Sequence, residues 1–164
     1  MIRKATLTDV TGIHHLVRDF AARDEMLPMS VGEVTDRLRD FLVAEEKGAL
    51  VGAVAVHVTW GLLVELRSLA VRRDRQRRGI GARLVRAALG EARRLGAEAI
   101  FTLTYVPGYF ERFGFRRIDR AELPHKVWLN CVKCPKFPDC GEVAMIRALE
   151  PAAKPARGRR RPPG

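Results

Sequence analysis

The sequence indicates a chemical role most clearly for a short run with glycines two residues apart. The run is Gln76-Arg77-Arg78-Gly79-Ile80-Gly81. An apolar segment ending in Leu69, Ala70 and Val71 precedes it, and an apolar helical pattern begins at Ile80. The backbone N–H groups at the start of a helix are unpaired and carry the positive end of its dipole. Since glycines let a bulky anion approach that backbone closely, the run predicts a phosphate cradle.

Two common nucleotide-binding motifs are missing from this stretch. It contains no Gly-x-Gly-x-x-Gly, so a Rossmann dinucleotide site is unsupported, and no Gly-Lys followed by Ser or Thr, which excludes a nucleotide P-loop. Five arginines between Arg72 and Arg78 strengthen the positive field in front of the helix. The plain alternative is a solvated basic loop followed by a glycine-rich helix start.

A single carboxylate, Glu65, interrupts the apolar strand pattern just upstream of this run. A carboxylate in such a strand is costly unless it faces a wet cleft or a cation. Strand alternation puts Glu65, Arg67 and Leu69 on one face. We interpret Glu65 as a candidate general base, and an ion pair between Glu65 and Arg67 at the sheet surface is the alternative.

The overall composition limits the classes of protein to which the chain can belong. Its 164 residues are 47% hydrophobic, which is ordinary for one compact domain with a real core. No run reaches the roughly 18–20 uncharged apolar residues of a membrane span. No apolar signal region follows Met1 either. We therefore expect a cytoplasmic protein that does not act on membranes.

The net charge of +11 is shared between a basic body and a basic tail. Residues 151–164 hold five basic and no acidic side chains, which leaves +6 on residues 1–150. We predict one folded domain over residues 1–150 and a disordered tail over residues 151–164, because the tail is too polar and too rich in proline and glycine to pack. Such a charge attracts a phosphorylated cofactor, an acidic substrate or nucleic acid.

The hydrophobic pattern predicts a mixed α/β domain. Helical spacing is predicted for residues 10–21, 31–41, 80–95 and 107–112. Strand patterns are predicted for residues 2–7, 41–45, 49–59, 62–71, 99–104, 115–118 and 143–149. The segment 121–141 has no regular pattern.

The glycine-rich run and the elements around it resemble the GNAT acetyltransferase family, whose signature is Gln/Arg-x-x-Gly-x-Gly/Ala. The resemblance covers roughly residues 1–149 and includes the later run Tyr109-Phe110-Glu111-Arg112-Phe113-Gly114-Phe115. It implies a central mixed, mostly antiparallel sheet flanked by helices, and acetyl-CoA as cosubstrate. It also implies that the backbone of Leu69, Ala70 and Val71 pairs with the pantetheine arm of coenzyme A. The amides of the loop would bind the pyrophosphate, and that loop comprises Gln76, Arg77, Arg78, Gly79, Ile80 and Gly81.

One position departs from the usual pattern of that family. Phe110 stands where many members have a tyrosine that protonates the leaving thiolate, and neither Tyr105 nor Tyr109 matches that position. By the resemblance, Phe110 would lie beside the thiol end of the cofactor. Either another group protonates the thiolate, or the thiolate leaves without a proton. The second route is open because the pKa of a free thiol is only about 8.5.

The stretch from Glu65 to Val71, together with Phe110, also resembles the acetyltransferase domain of N-acetylglutamate synthases. That resemblance implies a stand-alone short form that acetylates the α-amino group of glutamate for arginine biosynthesis. Glu65 would be the general base, directly or through water, and Thr104 would place a hydroxyl at the thiol end. Arg67 and Lys126 would bind the substrate carboxylates, for which the arginine fork is well suited.

The irregular segment carries a cluster of soft side chains. His125, Cys131, Cys134 and Cys140 together make a full set of four zinc ligands. The spacing of the last cysteine is not that of a standard zinc finger, so we favour reduced thiols in a substrate-side loop and no metal. An odd number of cysteines argues against a disulfide framework.

Other functions stay open at this point. The same fold would serve a protein N-terminus, a lysine or a xenobiotic amine as acceptor. The basic tail would suit a nucleic-acid-binding module, although only 7% of the residues are aromatic and no recognition motif supports specific binding. A homodimer is compatible with the sequence. We favour a small amino acid as substrate, because the segment 121–141 would close a pocket over it.

Overall fold

One mixed sheet forms the centre of the molecule. The computed structural model describes residues 1–125, 127 and 140–150. In these residues, seven strands lie in the order β1-β2-β3-β4-β5-β7-β6, and only β4 and β5 run parallel. The strands are β1 (Ile2–Lys4), β2 (Phe41–Glu46), β3 (Ala49–Trp60), β4 (Leu63–Val71), β5 (Ala99–Thr104), β6 (Arg116–Arg117) and β7 (Val143–Ala148). The helices are α1 (Val10–Ala21), α2 (Val31–Asp36), α3 (Ile80–Arg94) and α4 (Pro107–Glu111). The mixed α/β architecture and the mostly antiparallel sheet are confirmed.

Two apolar layers cover the two faces of the sheet. On one face, α1 and α2 pack against small strand residues that include Ala53, Ala55 and Ala70. On the other face, the apolar stripe of α3, which includes Ile80 and Leu84, packs with the aromatic residues of and around α4. Since both faces are covered, the strands are nearly continuous in apolar residues.

Strands β4 and β5 pair at one end and separate at the other. Their register joins Leu63 to Ala99, Val64 to Ile100 and Glu65 to Phe101, and no pair follows within the residues described. Beyond that point the buried Thr102 Oγ1 donates a hydrogen bond of 2.9 Å to the carbonyl of Leu66. From residue 67 to residue 71, β4 therefore has no described strand on the side of β5. Strand β5 stays paired with β7 over its whole length.

A bulge in β4 lies at the same place and overturns one expectation from the sequence. Ala53 pairs with Ala70 and Ala55 pairs with Arg67, so two residues of β4 face one residue of β3. Ser68 is the residue that absorbs the irregularity, with a φ of 55°. Strand alternation predicted Leu69 on the face of Glu65 and Arg67, but Leu69 packs against the cluster around α3 on the opposite face.

Three predicted boundaries also differ from the structure. The first strand stops at Lys4, because Leu7–Asp9 wind into a 3₁₀ turn with Thr6 and Asp9 as its capping box. The second helix stops at Asp36, and a 3₁₀ turn over Leu38–Asp40 leads directly into β2. The strand predicted for residues 115–118 is reduced to β6.

Candidate functional site

A cleft of about 1190 Å³ opens where β4 and β5 separate. Its walls come from the segment between α1 and α2, from β3, β4 and β5, from the start of α3 and from α4. The sequence-predicted residues that line it are Glu65, Arg67, Leu69, Val71, Gln76, Arg77, Gly79, Ile80, Gly81, Thr104, Phe110 and Cys140. Ala70 is buried behind this wall, and neither Ala70 nor Arg78 is among the lining residues.

The loop before α3 has the backbone geometry of an anion site. Arg77 and Gly79 both have positive φ, 62° and 77°, which turns successive N–H groups toward one side. The first hydrogen bond within α3 is the one that Arg83 N–H donates to the Gly79 carbonyl. The N–H groups of residues 80 to 82 therefore have no partner inside the helix. The side chain of Gln76 donates to the carbonyl of Val71 at 3.0 Å, which fixes the loop to the end of β4.

The strand edge between the loop and Glu65 is the second binding element. The segment from residue 67 to residue 71 presents its backbone to the cleft because β5 has turned away. An open strand edge offers N–H and C=O groups that pair with an extended ligand carrying amide groups. A strand edge running into the helix N-terminus fits a long ligand with a phosphorylated end and an amide-containing arm.

Glu65 is a nearly buried carboxylate in the cleft wall. Its side chain is 11% exposed, and Arg67 Nη2 lies 3.1 Å from its Oε2. Burial raises the pKa of Glu65 above the ordinary value, and the neighbouring Arg67, His57 and Arg37 oppose that rise. Glu142 acts in the same direction as burial. From the sequence, a Glu65 that faces a wet cleft and a Glu65 paired with Arg67 were alternatives. The structure contains both features, because the ion pair itself lines the cleft.

A histidine–aspartate pair lies beside Glu65, and the sequence analysis missed it. His57 pairs directly with Glu65 across β3 and β4, and its Nδ1 lies 2.7 Å from Oδ2 of Asp40. The ring of His57 lines the cleft, and its side chain is 29% exposed. No sequence spacing links residue 40 to residue 57, since the contact depends on the β2–β3 pairing.

An aromatic cluster closes the end of the cleft next to α3. Phe110 is buried, and its ring meets those of Tyr109 and Phe115 edge to face. A Cβ atom placed on Gly81 would lie 2.8 Å from the hydroxyl oxygen of Tyr109, so the missing side chain leaves room for this tyrosine. The hydroxyl of Tyr109 therefore lies at the start of α3. Burial raises the pKa of Tyr109.

Thr104 lies on the β5 side of the cleft, across the gap from the open edge of β4. It is buried, and its Oγ1 accepts a hydrogen bond of 3.0 Å from the backbone N–H of Val106. A threonine hydroxyl that accepts one bond still has a proton to donate. Thr104 is therefore able to direct a hydroxyl proton into the cleft.

The far rim of the cleft holds part of the predicted cysteine cluster. Arg120 donates to the carbonyl of Glu142 at 2.5 Å and to Cys140 Sγ at 3.4 Å. In the part of the chain that the structure describes, no three potential metal ligands come together, although His125 and Cys140 belong to that part. Three residues of predicted function lie outside the described residues: Cys131, Cys134 and Lys126. The tail 151–164 also lies outside them. The zinc ligands, the substrate-binding lysine and the disordered tail therefore stay predictions.

None of the described helices has the length and apolar character required to cross a membrane.

Comparisons with known proteins place the chain in a family. The model of the acetyltransferase (GNAT) family matches residues 11–115. An uncharacterized N-acetyltransferase from Chlorobaculum tepidum is 36% identical over 148 residues, which are 90% of this chain and 96% of that protein. An amino-acid acetyltransferase from Mycobacterium tuberculosis is 32% identical over 131 residues, which are 78% of this chain and 75% of that protein.

A solved structure extends the similarity to three dimensions. Rv2747 from Mycobacterium tuberculosis, in complex with CoA and NLQ, has a TM-score of 0.80 and 28% identity. The match covers 92% of this chain and 99% of that one. The similarity therefore extends over nearly the whole length of both folds.

Proposed function

This chain belongs to the acetyltransferase (GNAT) family, and we propose that it moves the acetyl group of acetyl-CoA to the α-amino group of a small amino acid, with L-glutamate as the preferred acceptor. One observation carries the proposal. A nearly buried carboxylate, Glu65, paired with Arg67, faces the cleft directly beside the open edge of β4. A base and a cation at that position suit an acceptor that has both an amine and a carboxylate.

The donor half of the cleft fits acetyl-CoA. The N-terminus of α3 and the loop from Gln76 to Gly79 would hold the pyrophosphate, because backbone N–H groups and a helix dipole favour anions. The open edge of β4 would pair with the amides of the pantetheine arm. Bound in this way, the arm extends along β4 toward Glu65, with Phe110 and Thr104 on the opposite side.

Glu65 would act as the general base. The α-ammonium of an amino acid has a pKa near 8, and it must lose a proton before its nitrogen can attack a carbonyl carbon. Burial raises the pKa of Glu65 and so brings this carboxylate closer to the pKa of the amine. The proton moves to Glu65 directly or through one water.

The group transfer then balances without a further reactant. The amine nitrogen forms a bond to the acetyl carbon and the carbon–sulfur bond breaks. The second proton of the nitrogen leaves with the sulfur, so the products are the acetamide, the free thiol and a protonated Glu65. Thr104 would donate a hydrogen bond at the thiol end, where Phe110 cannot.

Arg67 would hold one carboxylate of the acceptor. Its guanidinium already lies beside Glu65, and an arginine fork has donors left for a second carboxylate. Lys126 is proposed as a second cation for the substrate, on the strength of the sequence resemblance. The name of the Mycobacterium tuberculosis relative, amino-acid acetyltransferase, supports this class of acceptor.

A substrate panel tests the proposal. We would incubate the chain with acetyl-CoA and each of the twenty amino acids separately, and measure release of the thiol. We expect selective turnover of L-glutamate, and a higher KM for glutamate in Arg67→Ala. Turnover of a lysine peptide or an N-terminal peptide, with none of any free amino acid, would refute the amino-acid assignment while leaving the acetyltransferase intact.

A further inference from the structure

We propose that His57, held by Asp40, is a proton relay that takes the proton from Glu65 and delivers it to solvent. This inference rests on the proposed role of Glu65 as base, but it does not depend on which amine is the acceptor. In this scheme His57 acts through Glu65 and is a positioning residue.

The need for a relay follows from the burial of Glu65. Each turnover leaves a proton on a carboxylate whose side chain is only 11% exposed and is covered further by the bound substrates. That proton must leave before the next cycle. The side chain of His57 is 29% exposed, so it joins the buried carboxylate to the solvent side of the cleft.

The strand register brings His57 within reach of Glu65. The two residues face each other directly in the antiparallel pairing of β3 and β4. Side chains that face each other in this way have Cβ atoms about 4.5–5.5 Å apart. No direct contact joins the two side chains, so the proton crosses between the carboxylate and the imidazole ring through one water.

Asp40 sets the tautomer that such a relay needs. An ionised carboxylate only accepts hydrogen bonds, so Nδ1 of His57, which lies 2.7 Å from Oδ2 of Asp40, carries a hydrogen. Nε2 is then the ring nitrogen with a free lone pair. When Nε2 accepts the proton, the resulting imidazolium is stabilised by the carboxylate of Asp40. The imidazolium then releases one proton to water, and the neutral ring is restored.

The other charged groups around Glu65 do not take this role. Arg67 and Arg37 offer only donors, because a guanidinium has no acceptor atom for a proton. Glu142 is a like charge, and its presence disfavours a second negative charge at Glu65. Among the groups that act on Glu65, His57 is the one with a ring nitrogen whose lone pair accepts a proton and whose other ring nitrogen is held by a carboxylate.

The test compares variants of His57 with a variant of a histidine away from the cleft. His57→Gln keeps a hydrogen-bonding side chain but cannot carry a proton, and we expect a kcat at least about tenfold lower with an unchanged KM for acetyl-CoA. His57→Ala should lose as much, and imidazole added to the buffer should restore part of its kcat. Asp40→Asn should change the pH profile of kcat. His15→Ala, on the exposed face of α1 and outside the cleft lining, should behave as the unmodified chain.

Two results would overturn the relay. One is a His57→Gln variant with the original kcat and pH profile. The other is a folded, CoA-binding His57→Ala variant that loses activity and does not respond to imidazole, since a structural role would behave in that way. Glu65→Gln separates this from the proposed function. If Glu65→Gln keeps its activity, the role of Glu65 as base and the relay both fail, whereas an inactive Glu65→Gln beside a fully active His57→Gln removes the relay alone.

Discussion

Glu65 shows how one side chain draws its properties from its neighbours. The carboxylate is buried in the cleft wall, which raises its pKa, and Arg67 at 3.1 Å limits that rise. A lone buried carboxylate would become neutral too readily, and a fully solvated one would be a weak base. The net effect is a pKa of Glu65 above its ordinary value, with burial as the largest cause.

The pH profile of Arg67→Ala tests this balance. A base acts in its deprotonated form, so the acid limb of kcat/KM follows the pKa of Glu65. Removing the positive charge of Arg67 removes an effect that lowers this pKa. We therefore expect the acid limb to move to higher pH in Arg67→Ala, measured as initial rates at saturating acetyl-CoA. Arg67→Lys keeps the charge and should move the limb less, and a limb that stays fixed in Arg67→Ala would contradict the assignment.

The sequence indicated most of these side chains but not their arrangement. Glu65, Arg67 and Thr104 were predicted from an interrupted apolar strand and a family resemblance, and all three line one cleft. The pair of His57 and Asp40 could not be predicted, because it forms between β3 and the turn before β2. A polar residue in an apolar strand is visible in a sequence, but its partner across the sheet is not.

At the scale of elements, the bulge at Ser68 and the separation of β4 from β5 create the site. An unbulged β4 would point Leu69 to the face of Arg67. The sequence analysis made that error because alternation assumes one residue of β4 for each residue of β3. The run of Leu66, Arg67, Ser68 and Leu69 has no glycine or proline to mark the irregularity. Helix and strand types were predictable from their periodicity, whereas 3₁₀ turns and the bulge depend on tertiary contacts.

Gly52 lets α3 pack closely against the strand pair that carries the bulge. A Cβ atom on Gly52 would lie 2.9 Å from Cδ1 of Leu84 and 3.1 Å from the carbonyl oxygen of Ala70. We expect Gly52→Ala to lower the free energy of unfolding by about 1–3 kcal/mol, because the backbone at Ala70 cannot move away cheaply. Urea unfolding followed by circular dichroism measures this change.

Gly90 provides the matched control within α3. An added Cβ there meets no atom within 4 Å, and its helical backbone needs no positive φ. Gly90→Ala should raise the free energy of unfolding by up to about 1 kcal/mol through helix propensity alone. If both alanine variants changed stability in the same direction, the close packing at Gly52 would not be the cause.

At the scale of the whole molecule, the net charge of +11 favours polyanionic ligands. Acetyl-CoA carries several negative charges, and its proposed site lies at a loop with five arginines. The field of the whole protein should therefore help to attract the donor. This effect belongs to the charge distribution and not to one contact.

Salt should weaken donor binding for this reason. Raising the ionic strength from about 50 mM to about 500 mM should increase the KM for acetyl-CoA several-fold, because counterions screen charges beyond a few ångströms. Acetyl-pantetheine has no phosphate groups and serves as the matched control donor. Its KM should stay nearly constant over the same range, and an equal salt effect on both donors would rule out this electrostatic contribution.

The most direct test of the central claim is the rate of acetyl transfer to L-glutamate in Glu65→Gln at saturating acetyl-CoA. Glu98→Gln, an exposed carboxylate outside the cleft lining, is the control. We expect a loss of roughly 10²–10⁴-fold in kcat for Glu65→Gln, with binding of CoA preserved and Glu98→Gln unaffected. A Glu65→Gln variant that acetylates glutamate at the rate of the unmodified chain would contradict the central claim.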